Sequence, residues 1–257
     1  MTFDIPPVIT NAEPLLSLPC SEAEWRAADP DSWYALHNSP TAPPTPSYPQ
    51  ALHDLFTPTV DPIPGIRYSH FGSFIMINAI CSQLWAHLKI RAAEPELNLN
   101  SIEYAIDQWQ RAWGADPDCS MSPTSPHGPL SFNASALYRM ANVRLFRDYS
   151  RVKASFRFLD VDRIIPIMAE DVSGTGWVRN QEMMRAVMPA TLQLQIPIKM
   201  GIKLVARTAA LIWSVEHVLC ATESGIPRHL HSLTNRVITV RLVTLHRKSA
   251  AGNTAQT

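Results

Sequence analysis

The sequence predicts an all-α protein, an irregular multi-helix domain with Pro-rich loops. Three observations predict it. Apolar residues recur at helical spacing through most of the long segments. Proline separates those segments far more often than glycine, with 22 Pro against 9 Gly. No two alternating apolar-polar runs are joined by hairpin turn chemistry, and no tandem repeat is present.

The clearest element is Ser101–Gly114, SIEYAIDQWQRAWG. Ile102, Ala105, Ile106, Trp109 and Trp113 fall on one helical face. Asn100 or Ser101 stands ready to cap it, with Glu103 placed for a reciprocal cap. Gly114 and Pro117 mark its end. Two tryptophans a turn apart need a deep partner surface, because each has about 150–250 Å² to bury.

The other elements follow in chain order. Ser21 and Glu24 form a capping box for a short helix carrying Trp25. Asp29-Pro30 breaks it, and Asp31 or Ser32 starts a second short helix with Trp33 and Leu36. Pro40, Pro43, Pro44, Pro46 and Pro49 make a linker that can neither enter a helix interior nor join a sheet. Tyr48–Phe56 is a short amphipathic helix, followed by a loop with Pro58, Pro62 and Pro64. A long helix spans Tyr68–Ala92, with Phe71, Phe74, Ile75, Ile80, Leu84, Trp85 and Leu88 around much of its circumference, as expected of a central core helix. Phe71–Leu88 lacks Asp, Glu, Lys and Arg. Ser73, Asn78, Ser82, Gln83 and His87 would be costly in lipid, so the segment reads as buried in protein and not as a membrane span.

After the tryptophan helix, Ala115–Pro129 is a loop and Leu130–Asp148 a helix. A weaker helix is predicted near 150–158 and another near 161–170, capped by Asp160 and bent by Pro166. Gly174 and Gly176 make a loop. Asn180–Ile196 is helical and kinked around Pro189, Pro197 breaks the pattern, and Ile198–Thr222 resumes it. Cys81 and Cys220 sit in apolar helical patterns and read as buried thiols.

The totals exclude several functions. The 22 basic and 22 acidic residues cancel, and charged residues make up 17% of the chain, too little to hold nucleic-acid phosphates by mass charge. No G-x-G-x-x-G, P-loop or G-x-S-x-G motif occurs. The four cysteines, Cys20, Cys81, Cys119 and Cys220, form no C-x-x-C knuckle. The first residues, MTFDIPPVITNAEP, lack the basic and apolar regions of a signal peptide.

Chemistry-bearing residues are thinly spread. His127 and Ser125 lie in the turn before the 130–148 helix and carry no triad. His229 and His231 with Cys220 lack further ligands at finger spacing. Asp116 and Asp118 lack the continuation of an EF-hand and read as turn or cap residues. His37, His53, His70, His87 and His217 are single and fit helix surfaces or satisfied core positions. Arg139, Arg144, Arg147, Arg151, Lys153 and Arg157 read as a solvated helix face with pairing such as Arg144–Asp148. No catalytic residue, metal ligand or cofactor is assigned, and cofactor-binding residues stay unknown.

Four blocks carry a resemblance: LPCSEAEWRAADPDSWYAL (18–36), SIEYAIDQWQRAWGADPD (101–118), HGPLSFNASALYRMANVRL (127–145) and QIPIKMGIKLVARTAALIWSVEHVLCATES (195–224). In order and spacing they resemble the regulatory, or middle homology, region of fungal zinc-finger transcription factors, above all the sub-family with two C2H2 fingers ahead of it. The resemblance implies an all-α, non-catalytic, nuclear domain over residues 15–224 that controls RNA polymerase II transcription. Its implied partners are transcriptional co-regulators, a second copy of itself or a small-molecule effector, with no membrane. DNA would be contacted only through the finger module, and zinc is implied only there; no finger spacing occurs in this sequence. The alternatives are a helical small-molecule enzyme or a truncated product without its own activity. Residues 1–14 are expected to be disordered. So is the 225–257 tail, where acids vanish and Arg228, Arg236, Arg241, Arg247 and Lys248 appear.

The chain by itself is therefore expected to give no sequence-specific shift with DNA at physiological salt. A nanomolar, sequence-specific band in a mobility-shift assay would contradict the charge argument.

Overall fold

The computed structural model describes residues 16–40, 45–58, 68–91, 99–146, 150–155, 160–174 and 181–224. The predicted 1–14 terminus, the 225–257 tail, His229 and His231 lie outside them. Within the described residues the chain is helical, with one isolated antiparallel bridge, Ser17 to Ser47. The elements are α1 (Glu22–Trp25), α2 (Pro30–His37), α3 (Tyr48–Phe56), α4 (His70–Arg91), α5 (Asn100–Gly114), α6 (Leu130–Phe146), α7 (Ser150–Ser155), α8 (Val161–Gly174), α9 (Gln181–Met200) and α10 (Ile202–Ile212). Residues 215–224 form one more helical segment.

Local chemistry explains the starts. The Ser21 side chain accepts from Glu24 N, and Glu24 Oε2 accepts from Ser21 N at 2.8 Å, completing the reciprocal cap. Asp29 caps α2 through Ser32 N at 2.8 Å, which puts Pro30 at the first helical position. Asp29-Pro30 separates α2 from α1 as expected, but α2 starts at Pro30 and not at Asp31 or Ser32, because a proline at that position has no amide to leave unsatisfied. Ser69 caps α4 through Gly72 N at 3.1 Å. The predicted cap of α5 does not form. Asn100 is already helical, Leu99 occupies the cap position, and no side chain closes it. Gly114 is the last residue of α5 and Ala115 follows in right-handed geometry, so the glycine is no left-handed stop.

The C-terminal half departs further. α9 runs through Pro189 and through Pro197, where a break was predicted. It ends at Gly201, whose φ of +87° is the left-handed cap that glycine takes without strain. The predicted single helix 198–222 is split there and again at Trp213-Ser214. α8 passes through Pro166, with Asp160 Oδ1 accepting from Asp162 N at 3.0 Å at its start.

The core lies between α4, α5 and α6, and α9 covers the far side of α6. α4 contributes Met76, Ile77, Ile80, Cys81 and Leu84, all fully buried. By length and composition His70–Ile90 would cross a membrane; here its middle is packed against neighbouring helices. α6 is buried on nearly every face. Ala134, Ala136 and Ala141 are fully buried, and such small residues let α4 and α9 approach it from opposite sides. Cys81 Sγ reaches Leu137 O at 3.8 Å across the α4–α6 contact.

Trp109 anchors α5. It is 1% exposed, and its Nε1 donates to Ser73 O on α4 at 2.8 Å. Its ring stacks on Tyr138 of α6 at 5.6 Å and on Trp113 at 6.2 Å. Trp113 is only half-buried, short of the full burial the apolar face suggested. It sits on the last turn of α5, partly buried against the core. Trp109→Ala is expected to cost about 3–5 kcal/mol, the usual range for a buried aromatic, and Trp113→Ala about half of that. Urea denaturation of both variants measures the difference; equal costs would contradict this placement of the core.

Candidate functional site

The helix that reads from sequence as a solvated basic face is the most buried one. Arg144 is 2% exposed. Its Nε donates to Glu223 Oε2 at 2.7 Å, and its Nη2 donates to Oε1 of the same carboxylate, a fork across 79 residues of chain. Burial disfavours the guanidinium charge, and the facing Glu223 more than offsets this, holding its pKa above the ordinary value. Asp148, the partner expected from sequence, lies outside the described residues; the partner seen is Glu223, which 215–224 carries to the buried face of α6. Taking either partner away would strand a charge, at about 3–5 kcal/mol.

Arg139, on the same helix, is 3% exposed. Its Nη1 donates to Gln193 Oε1 at 2.9 Å and to Ser135 Oγ at 3.2 Å; its Nη2 lies 3.4 Å from Met121 Sδ. All these partners are neutral, and burial lowers the guanidinium pKa. Arg151 of the predicted basic stripe is exposed, as expected, and paired with Glu170 at 2.6 Å; Arg147, Arg157 and the Lys153 side chain lie outside the described residues.

Gln193 links Arg139 to the last described segment. Its Nε2 lies 3.2 Å from His217 Nδ1. The His217 ring stacks on Phe132 of α6 at 3.9 Å, and Trp213 stands edge-on to both rings. Burial, with a contribution from Arg139, pushes the His217 pKa down to about 3, so the ring is neutral near pH 7. Its Nε2, Trp213 Nε1 and Ser214 Oγ are buried without a hydrogen-bond partner among the described residues. Sequence reasoning placed His217 on a helix surface or in a satisfied core position; it is buried, with its partners coming from α6 and α9, which no local pattern announces.

The helices around this seam carry exposed apolar side chains. On α9, Val187, Ala190 and Gln193 turn inward, while Met188 and Leu192 stay exposed. Leu204, Leu211, Val215 and Val218 extend the exposed set along α10 and 215–224, with Leu211 81% exposed. Lys199, Lys203 and Arg207 are exposed on the same helices, and no acid occurs between Glu182 and Glu216.

The loop before α6 holds the remaining candidates. Asp116 Oδ1 accepts from Asp118 N at 3.0 Å, a local turn. His127 Nε2 lies 3.4 Å from Asp118 Oδ1, and Gly128 takes φ +89° just before α6. Ser125 Oγ accepts from His127 N at 3.3 Å, a bond within the turn before α6. Burial pushes the Cys119 thiol up to about 11. Cys20 is half-buried, whereas Cys81 and Cys220 are fully buried.

With His217 lowered to about 3 in the fold and near 6.5 when unfolded, the unfolded chain alone takes up this proton in the window between. The stabilisation is complete above pH 6.5 and falls as the pH drops toward 3, by at most about 1.4 kcal/mol per pH unit. From pH 7 to 5 the loss from this group is expected to be about 2 kcal/mol. His217→Gln should flatten the urea-derived stability profile by that amount. An unchanged slope would place a charged imidazole at this position.

Residues 148–227 match the family model described as the fungal transcription factor C-terminal domain. The matched stretch contains α7 to α10 and the 215–224 segment, and it supports a fungal transcription factor regulatory domain. No curated protein and no solved structure matches the chain.

Proposed function

We propose that this chain is the regulatory domain of a fungal transcription factor, acting in the nucleus on RNA polymerase II transcription through protein contacts. One observation carries the reading. The helices that match the transcription factor family bear the exposed apolar face of α9, α10 and 215–224. Soluble monomers rarely leave a large contiguous apolar patch uncovered.

Its rim favours one kind of partner. Lys199, Lys203 and Arg207 border the apolar residues without an intervening acid. An acidic segment with apolar anchors, presented by a co-regulator, complements both the stripe and its charge. DNA contact would fall to a finger module of the parent factor, of the C2H2 type that the sequence resembles. The family match points away from an enzyme.

Fusion to a heterologous DNA-binding domain with a reporter gene tests the reading. The chain is expected to change reporter output. Leu211→Ser with Val218→Ser, or Lys203→Glu with Arg207→Glu, should reduce that change severalfold. Stability should stay within about 0.5 kcal/mol per substitution, as for surface positions. Full reporter response from both folded double variants would remove this face from the function.

A further inference from the structure

His70, Asp116 and Cys119 are brought together from two places in the chain. His70 is the first residue of α4, and the other two lie in the Asp-Pro-Asp-Cys turn after α5. Cys119 N donates to Asp116 O at 3.1 Å, which turns both side chains of this D-x-x-C to one side. One ligand atom from each of the three residues lies within 4.8 Å of the other two. His70 Nε2 is 3.6 Å from Asp116 Oδ2. The His70 side chain is 1% exposed, and its Nε2 has no hydrogen-bond partner among the described residues. A buried ring nitrogen left unpaired costs free energy, and here it faces a carboxylate and a thiol.

We propose that His70, Asp116 and Cys119 bind a divalent transition metal ion of the zinc class. Zinc takes Cys sulfur at about 2.3 Å, His nitrogen at about 2.0–2.1 Å and carboxylate oxygen at about 2.0–2.2 Å. Tetrahedral ligands at those lengths stand about 3.3–3.7 Å apart. The His–Asp distance already fits, and the remaining ligand atoms need to move by about an ångström. The mixed nitrogen, oxygen and sulfur set suits a borderline-soft ion and disfavours calcium or magnesium. One thiolate and one carboxylate neutralise its charge.

The surroundings support the site. Glu22 Oε1 accepts from His70 N at 3.2 Å and lies 3.7 Å from His70 Nδ1. At 3.7 Å the carboxylate is not hydrogen-bonded to Nδ1, but it lies on that side of the ring, and a closure of under an ångström would give the carboxylate–histidine–metal arrangement that leaves the Nε2 lone pair for the ion. Asp116 Oδ1 is held by Asp118 N, which leaves Oδ2 for the ion. His127 stands edge-on to His70 at 6.3 Å. It and Asp118 are partly exposed and form the approach from solvent. The ion would fasten the loop entering α6 to the start of α4 and, through Glu22, to α1. This site is separate from the finger zinc of the resembled family, and it does not depend on the transcriptional reading.

The test is titration of the reduced, metal-free full chain with Co²⁺ and then Zn²⁺. One equivalent of cobalt is expected to bind with a thiolate-to-cobalt charge-transfer band. Zinc should displace it and raise Tm. Cys119→Ser should abolish the band, and His70→Gln should weaken affinity by at least about tenfold, with far-UV circular dichroism unchanged. Cys20→Ser should keep the band. If His70→Gln does not fold, Cys119→Ser carries the test, since that side chain is only half-buried. Absence of saturable binding, an intact band in Cys119→Ser, or loss of the band in Cys20→Ser would each overturn the proposal.

Discussion

The guanidinium of Arg144 is buried at the last turn of the most enclosed helix, and the chain must return a carboxylate to it. A charge removed from water in this way is tolerable only with a partner of matching geometry. Glu223 supplies the fork from a segment 79 residues later. That requirement constrains α9, α10 and the 215–224 segment together. α9 must lie along α6, the chain must reverse at Gly201, and the helix must break at Trp213-Ser214 for 215–224 to arrive in register. The same arrival seats His217 on Phe132 and brings Gln193 between His217 and Arg139. The ion pair and the Arg139–Gln193–His217 seam thus both depend on the same arrival of 215–224.

The division of labour between the two faces of α6 follows from its sequence. Toward α4 it offers Leu137 and small residues, and the contact is apolar. Toward α9 and 215–224 it offers Ser135, Arg139 and Arg144, and the contact is polar. Apolar contacts tolerate repacking, whereas a buried polar contact accepts few alternatives. The second interface thus specifies one arrangement of the family-matched helices, and that arrangement turns Leu211, Val215 and Val218 outward.

Legibility in the sequence tracked the range of the forces involved. Helix α3, the Ser21–Glu24 cap and the apolar face of α5 depend on residues within two turns, and they were readable. The passage of α9 through Pro197 was not, because neighbouring helices hold a helix that its own residues would end. Arg144 was misread for a related reason. An arginine on a helix looks solvated until its partner is known, and Glu223 is invisible to any local window. His70 likewise reads as an isolated histidine, since Asp116 and Cys119 reach it only through the α4–α5 packing. The D-x-x-C spacing was the one local hint, and it became informative once a buried imidazole stood beside it. The all-helical class and the transcription factor resemblance needed only patterns summed along the chain.

The aromatic stack gives the protein its own optical reporter. Trp109, Trp113 and Tyr138 overlap in a fixed, chiral arrangement, so their transitions couple and lend the near-ultraviolet circular dichroism a signature that vanishes when the stack opens. Trp25, 79% exposed, emits as a water-facing indole whatever the core does. Once Trp33, Trp85, Trp177 and Trp213 are replaced, emission from the two classes separates docking of α5 from events at the amino-terminal helices, without any attached label. Ser73 lies within the first turns of α4, a few residues from His70. A ligand that shifts the start of that helix would thus perturb the Trp109 Nε1 hydrogen bond, and with it the colour of the buried emission.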